Sequence, residues 1–225
     1  MRSFDCSLQP DFAICVDATA SMGDFLSSLK KVMPRFDEIV NSEIDSLNLA
    51  VGKMRVRFIF FRDFGYDEEP LIESRFFTLP EDKEEMIAFL DSVTAKGGGD
   101  RPESVLEALV TARGSEWRTD FGVRQIIMLF TDADAHPLGA HASRPGYPDG
   151  MPTSGEEFRE LWNIRDDRGF IPNKSRHMIV CPGDSSVWGY LDDWFYPGLL
   201  LPHSPAGMTA EDIEDMICAM LNSGI

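Results

Sequence analysis

Apolar positions along the chain recur with two different periods. Residues 12–16, Phe-Ala-Ile-Cys-Val, form a run with no polar face, as expected for a strand buried on both sides of a parallel sheet. From 25 to 40 the spacing changes, and Phe25, Leu29, Val32, Met33, Phe36 and Val40 fall on one helical stripe. Pro34 inside that stripe predicts a kink or two shorter helices. Residues 53–61 predict a second strand, alternating at first and then wholly apolar, ending in the turn-like Arg62-Asp63-Phe64-Gly65. A third strand over 71–77 is expected to run antiparallel to the second, because the connection is too short for a crossover helix. Helices follow over 81–93, after Pro80, and over 102–111, after Gly97-Gly98-Gly99. Residues 125–131 are the most hydrophobic strand, which halts at Asp132-Ala133-Asp134. Residues 176–181 and 198–201 add two more strands, and 210–221 a closing amphipathic helix.

Strands alternating with helices predict an α/β fold. The sheet is doubly wound (Rossmann-like) and mostly parallel, with one antiparallel edge strand and helices on both faces. The 225 residues suit a single domain over 1–225. Residues 136–175, rich in Gly, Pro and Ser around a helical segment at 156–162, read as an elaborated loop.

Composition narrows the partners. Hydrophobic residues make up 43% of the chain, which excludes the disordered class. The net charge of −17 repels phosphate backbones and anionic lipid, so neither nucleic acid nor a membrane surface is expected. It favours divalent cations or a basic protein. Cys6, Cys15, Cys181 and Cys218 form no CxxC pair and predict free thiols in a reducing compartment. With no basic-then-apolar leader and no run of roughly 20 apolar residues, the expected location is cytoplasmic.

The chemistry lies where strands end. In doubly wound sheets ligands bind at strand carboxyl ends, where the strand order reverses. Asp17 and Asp132 both follow strongly apolar strands. Two carboxylates meeting at one rim repel unless a cation lies between them. Asp17, Thr19 and Ser21 alternate with alanines, so in an extended turn their oxygens project the same way. The Gly97-Gly98-Gly99-Asp100 loop allows a close backbone approach and adds a carboxylate. An all-oxygen set of Asp17, Thr19, Ser21, Asp100 and Asp132 suits Mg2+, with Mn2+ or Ca2+ as alternatives, better than zinc or copper.

Asp17-Ala18-Thr19-Ala20-Ser21 resembles the DxSxS or DxTxS signature of von Willebrand factor type A (VWA) domains. Their metal-ion-dependent adhesion site (MIDAS) takes further ligands from a Gly-rich loop and from an aspartate after a later strand. Asp100 and Asp132 stand at those positions here. The family usually has threonine where Asp100 stands. Thr131-Asp132-Ala133-Asp134 and Phe60-Phe61-Arg62-Asp63 are similar to intracellular and bacterial, stand-alone members, and to domains attached to alpha-kinases. The resemblance implies a protein-binding module without catalytic residues, whose cation ligates an acidic side chain of another protein. The alternative is an Mg2+-dependent hydrolase or phosphatase using the same carboxylates. It resembles haloacid-dehalogenase enzymes, but Thr19 stands where they need a second aspartate, and the lysine they use is missing after Asp132.

Plainer roles compete at individual positions. Ser21 with Asp24, and Asp100 with Glu103, have capping-box spacing. Asp134 and Pro137 are expected to shape a turn, with His136 a surface or loop-packing residue rather than a general base. Arg62 and Asp63 are expected to form a structural ion pair. Trp188, Tyr190, Trp194, Phe195 and Tyr196 are either core or an anchor patch for a partner.

Overall fold

The structure is a computed structural model that describes residues 7–99, 101–165, 167–191 and 198–223. Strand β1 is Gln9–Asp17. Helices α1, Gly23–Val32, and α2, Phe36–Ser46, follow it. A 3-10 turn over Met33–Arg35 divides the two helices, because Pro34 lacks the N–H that a continuous α-helix needs there. Strand β2 is Met54–Phe61, β3 Leu71–Glu73 and β4 Phe77–Leu79. Helices α3, Lys83–Ser92, and α4, Val105–Arg113, precede strand β5, Val123–Phe130. Helix α5, Gly155–Asn163, lies within the long loop, and strand β6 is Ser175–Cys181. Helix α6, Val187–Leu191, strand β7, Gly198–Pro202, and helix α7, Ala210–Asn222, complete the chain.

These strands form one seven-stranded sheet in the order β3-β2-β1-β5-β6-β7, with β4 also on β2. Strands β2, β1, β5, β6 and β7 are parallel, whereas β3 and β4 run antiparallel to β2. The single edge strand expected over 71–77 is therefore two short ones. Ser74 explains the break. Its N–H still bonds to the Phe58 carbonyl at 3.0 Å, but its hydroxyl takes the Phe58 N–H at 2.9 Å and donates to the Arg75 carbonyl at 2.7 Å. A side chain thus stands in for one bond of the ladder.

Strict alternation along the central strands divides the interior into two cores. Phe12, Ile14 and Val16 of β1 join Phe58 and Phe60 of β2 and Met128 and Phe130 of β5 against α1, α2, α3 and α7. Ala13, Cys15, Ile59, Ile127 and Leu129 face the other way, against α4, α5 and α6. The apolar residues of both faces are almost wholly buried. At about 25 cal/mol per Å2 of apolar surface removed from water, these cores fix strand register and so the positions of the rim loops. At the amino end of the sheet, buried Asp11 binds Arg55 (Nε 3.0 Å, Nη2 2.6 Å) and Arg118 (Nε 2.9 Å), tying β1 to β2 and to the segment before β5. Among the described residues no helix is long and apolar enough to cross a membrane.

Candidate functional site

Strand order reverses at β1. The chain first adds β2 on one side of it and later β5, β6 and β7 on the other. Asp17, the last residue of β1, is fully buried and accepts three hydrogen bonds. The Thr19 hydroxyl donates to Oδ1 at 2.6 Å, the Thr19 N–H to the same oxygen at 2.9 Å, and the Thr131 hydroxyl to Oδ2 at 2.8 Å. Burial nevertheless pushes the Asp17 carboxyl up to about 6, against the pull of the Thr19 and Thr131 bonds and with the Asp132 charge adding to the rise. The Thr19 Oγ1 lies 3.2 Å from Ser21 Oγ, and Ser21 Oγ donates to Asp132 Oδ1 at 3.0 Å. Four of the five residues singled out by the sequence thus make an unbroken chain of oxygens. The fifth, Asp100, lies outside the described residues.

Backbone geometry holds this cluster open on one side. The Ala18 N–H bonds to the Phe61 carbonyl at 2.8 Å, and the Ala18 carbonyl accepts the Lys96 N–H at 3.0 Å. The Ala20 N–H bonds to the Gly97 carbonyl at 3.3 Å, bringing the glycine loop against the Asp17–Ser21 turn. Gly98 has φ +79°, and a Cβ there would sit 3.1 Å from Thr19 Cβ and Cγ2. Only glycine meets both demands. A cavity of about 350 Å3 opens beside the oxygens, lined by Thr19, Ser21, Gly98, Arg101, Glu103 and Asp132 among others.

Several plainer expectations are now settled. Ser21 spends its hydroxyl on Asp132, and no side chain caps α1. Helix α4 starts at Val105 with Ser104 at its N-cap, so it begins later than the expected 102. The Asp134 carboxylate accepts the Ser186 N–H at 2.7 Å and ties two rim loops together. Trp188 and Tyr190 pack against the second core, while Trp194, Phe195 and Tyr196 lie outside the described residues. Arg62 and Asp63 do not form the expected ion pair. The Arg62 side chain, 2% exposed, donates to three main-chain carbonyls: Ala18 at 3.3 Å, Glu69 at 2.8 Å and Thr94 at 3.0 Å. Successive residues of an extended chain point to opposite sides, so Asp63 faces His136 and His141 instead. His136 is a buried loop-packing residue, 8% exposed.

Sequence reasoning missed Arg62 as the organiser of the rim and Thr131 as a bond to Asp17. Thr131 directly precedes Asp132, and its place at a strand end was the available signal. Arg62 stood in the Phe60-Phe61-Arg62-Asp63 stretch, but nothing local to that stretch indicates its carbonyl partners, which come from three separate loops.

Fold and rim together define an α/β domain whose ligand loops sit at the carboxyl ends of parallel strands, with an oxygen cluster at the reversal point. The family model for the von Willebrand factor A domain matches residues 11–139, and the chain belongs to that family. Domains of this family are in general protein-interaction modules and commonly bind divalent metals. The chain is similar to the alpha-protein kinase vwkA of Dictyostelium discoideum, 24% identical over 152 residues, which are 68% of this chain and 22% of the kinase. It is also similar to a putative ariadne-like RING finger protein of Acanthamoeba polyphaga mimivirus, 36% identical over 94 residues, 42% of this chain and 8% of that protein. The chain thus matches less than a quarter of the length of either relative. Among solved structures, the pilus adhesin SpaC of Lactobacillus rhamnosus GG superposes with a TM-score of 0.58 at 11% identity, covering 94% of this chain and 30% of the adhesin. That likeness shows the fold.

Proposed function

We propose that this domain binds a partner protein through a divalent cation held by Asp17, Thr19, Ser21 and Asp132. The observation that carries this reading is the run of oxygens from Asp17 through Thr19 and Ser21 to Asp132, with links of 2.6, 3.2 and 3.0 Å. Two carboxylates and two hydroxyls are hard donors and fit Mg2+, with Mn2+ or Ca2+ the alternatives. Such an ion supplies a fixed positive charge that accepts a further oxygen ligand.

The ligand we assign to it is an Asp or Glu side chain of the partner. A surface of net charge −17 repels acidic proteins at long range, so attraction has to be local. Arg101, which lines the cavity beside Asp132, adds a guanidinium of the right sign at the right place. The reaction is ligation and release, with no bond broken, and the domain acts as a binding module rather than an enzyme.

The test is magnesium titration by calorimetry of the wild type and Ser21→Ala, whose exposed hydroxyl is removable without opening the core. Capture of partners from lysate, with and without EDTA, then reads the second step. Binding of magnesium in the wild type that weakens at least tenfold in Ser21→Ala supports the assignment. Equal titrations for both proteins would remove it. Capture of the same proteins in EDTA would keep the module and discard the cation.

A further inference from the structure

We propose that Asp63, His136 and His141 form a second metal site, built for Zn2+, separate from the oxygen cluster. Asp63 stands in the turn after β2, and the histidines in the loop after β5. Strand β1 lies between those two strands, yet one donor atom from each of the three side chains falls within 4.8 Å of the others. His136 Nε2 is 3.3 Å from Asp63 Oδ2, and His141 Nε2 is 3.4 Å from Asp63 Oδ1. The two imidazoles meet edge to face, with centroids 4.4 Å apart and planes at 89°.

The burial of these groups is what asks for a ligand. Asp63 is 0% exposed and His136 8%. Asp63 Oδ2, His136 Nε2 and His141 Nε2 are all buried, and none makes a hydrogen bond. Buried polar atoms are paired in the great majority of cases, so three unpaired ones converging on a single point need something between them. Two neutral imidazoles and a carboxylate form the mixed nitrogen and oxygen set that zinc accepts and magnesium does not. In tetrahedral zinc the bonds are about 2.1 Å, which puts neighbouring donors about 3.4 Å apart. The 3.3 Å from His136 Nε2 to Asp63 Oδ2 and the 3.4 Å from His141 Nε2 to Asp63 Oδ1 are each close to that spacing. One donor per residue lies within 4.8 Å of the others, a set that small side-chain rotations bring onto one ion. The competing arrangement has each imidazole donating its Nε2–H to one oxygen of Asp63, but 3.3 and 3.4 Å are long for such bonds to a carboxylate, and neither contact has hydrogen-bond geometry.

Bonds that do not involve the imidazole rings hold the two loops carrying these side chains. The Gly65 N–H fixes Asp63 Oδ1 at 2.6 Å, and the His136 N–H bonds to the Glu103 carbonyl at 3.0 Å. Arg144 Nη2 reaches the Gly65 carbonyl at 2.6 Å and folds the second loop onto the first. Gly65 has to be glycine for this approach, since a Cβ there would lie 2.8 Å from His141 Cε1. In the same loop, Tyr147 packs its ring on Phe64 and donates to buried Glu107 at 2.8 Å. Zinc here clamps the loop after β2 to the loop after β5.

The test uses the untagged full chain, stripped with EDTA and dialysed into saturating magnesium. Calorimetric titration with Zn2+ is expected to give one ion per chain in the wild type and in Ser21→Ala. His141→Gln, at a half-buried position, should bind at least tenfold more weakly while keeping the far-ultraviolet circular dichroism of the wild type. Co2+ in place of Zn2+ probes the wild type directly, so no variant needs to fold. Intense visible bands of a four-coordinate ion are expected. A weak six-coordinate cobalt spectrum, or equal zinc binding by wild type and His141→Gln, overturns the site. Zinc binding lost in Ser21→Ala but kept in His141→Gln would place the ion at the oxygen cluster and overturns it too.

Discussion

Arg62 offers the sharpest test of how the rim is held. Its guanidinium is buried to 2% exposure and bonds only to carbonyls, those of Ala18, Glu69 and Thr94. Ala18 separates Asp17 from Thr19, and Thr94 leads into the glycine loop, so one side chain fixes two walls of the oxygen cluster. Replacing it in Arg62→Met keeps much of the packing volume. The Ala18 carbonyl still has the Lys96 N–H, but the Glu69 and Thr94 carbonyls lose their arginine donor. Glu69 and Thr94 are exposed residues, so water can replace the lost donor, and each bond to the charged guanidinium is worth about 1.5 kcal/mol, or about 3 kcal/mol for the pair. Removing a buried cation returns part of that, so a loss of about 2 kcal/mol is expected. Urea unfolding followed by circular dichroism measures it, with Arg62→Lys falling between, because one ammonium cannot span three carbonyls. Loosened walls should also weaken magnesium about 10- to 100-fold, as loss of a supporting group does at metal sites. If Arg62→Met unfolds within about 0.5 kcal/mol of the wild type, a range ordinary for surface changes, the bracing argument fails, whatever the outcome for magnesium.

Other perturbations separate the remaining parts. Gly98→Ala puts a methyl 3.1 Å from Thr19 at a φ of +79°; it should cost about 1–2 kcal/mol and weaken magnesium, and unchanged titration would show that the loop tolerates displacement. Asp11→Ala leaves Arg55 and Arg118 without their shared carboxylate and should cost about 3–5 kcal/mol in urea unfolding, with magnesium affinity unaffected because the site lies at the other end of β1. His177 on β6 is held neutral by burial, aided by the Arg176 charge, with its pKa pulled down to about 3. Unfolding therefore takes up a proton below the ordinary histidine value of about 6.5, and the stability present above that pH is lost as pH falls toward 3. Between pH 7 and 5 the wild type should lose about 2 kcal/mol more than His177→Leu, and parallel loss in both would mean that His177 is already charged in the fold.

Much of the architecture was legible because burial imposes a period on the sequence. The two-sided run at 12–16 and the helical stripe from Phe25 to Val40 leave few alternatives, and Pro34 marked the division of α1 from α2 correctly. The division of 71–77 into β3 and β4 was not legible. It depends on Ser74 bonding to Phe58 across the sheet edge, a contact no local spacing encodes. The start of α4 was misplaced for a similar reason, since 101–104 are held by partners elsewhere: the Glu103 N–H by the Asp134 carbonyl and the Ser104 N–H by Arg62.

The two candidate sites differ in legibility for one physical reason. Asp17, Thr19 and Ser21 are neighbours in sequence, so an extended turn suffices to align them, and the strand ending at Asp132 is found by its hydrophobicity. The Asp63 cluster has no such local signature. Asp63 is separated from both histidines by the whole of α3, α4 and β5, and only the placement of β1 between β2 and β5 brings the two loops together. The adjacent pair Arg62-Asp63 invited a local ion pair, but an extended backbone sends consecutive side chains apart. Arg62 turns toward the oxygen cluster and Asp63 toward the histidines, so a single turn after β2 supports both rim sites and the two residues meet different partners.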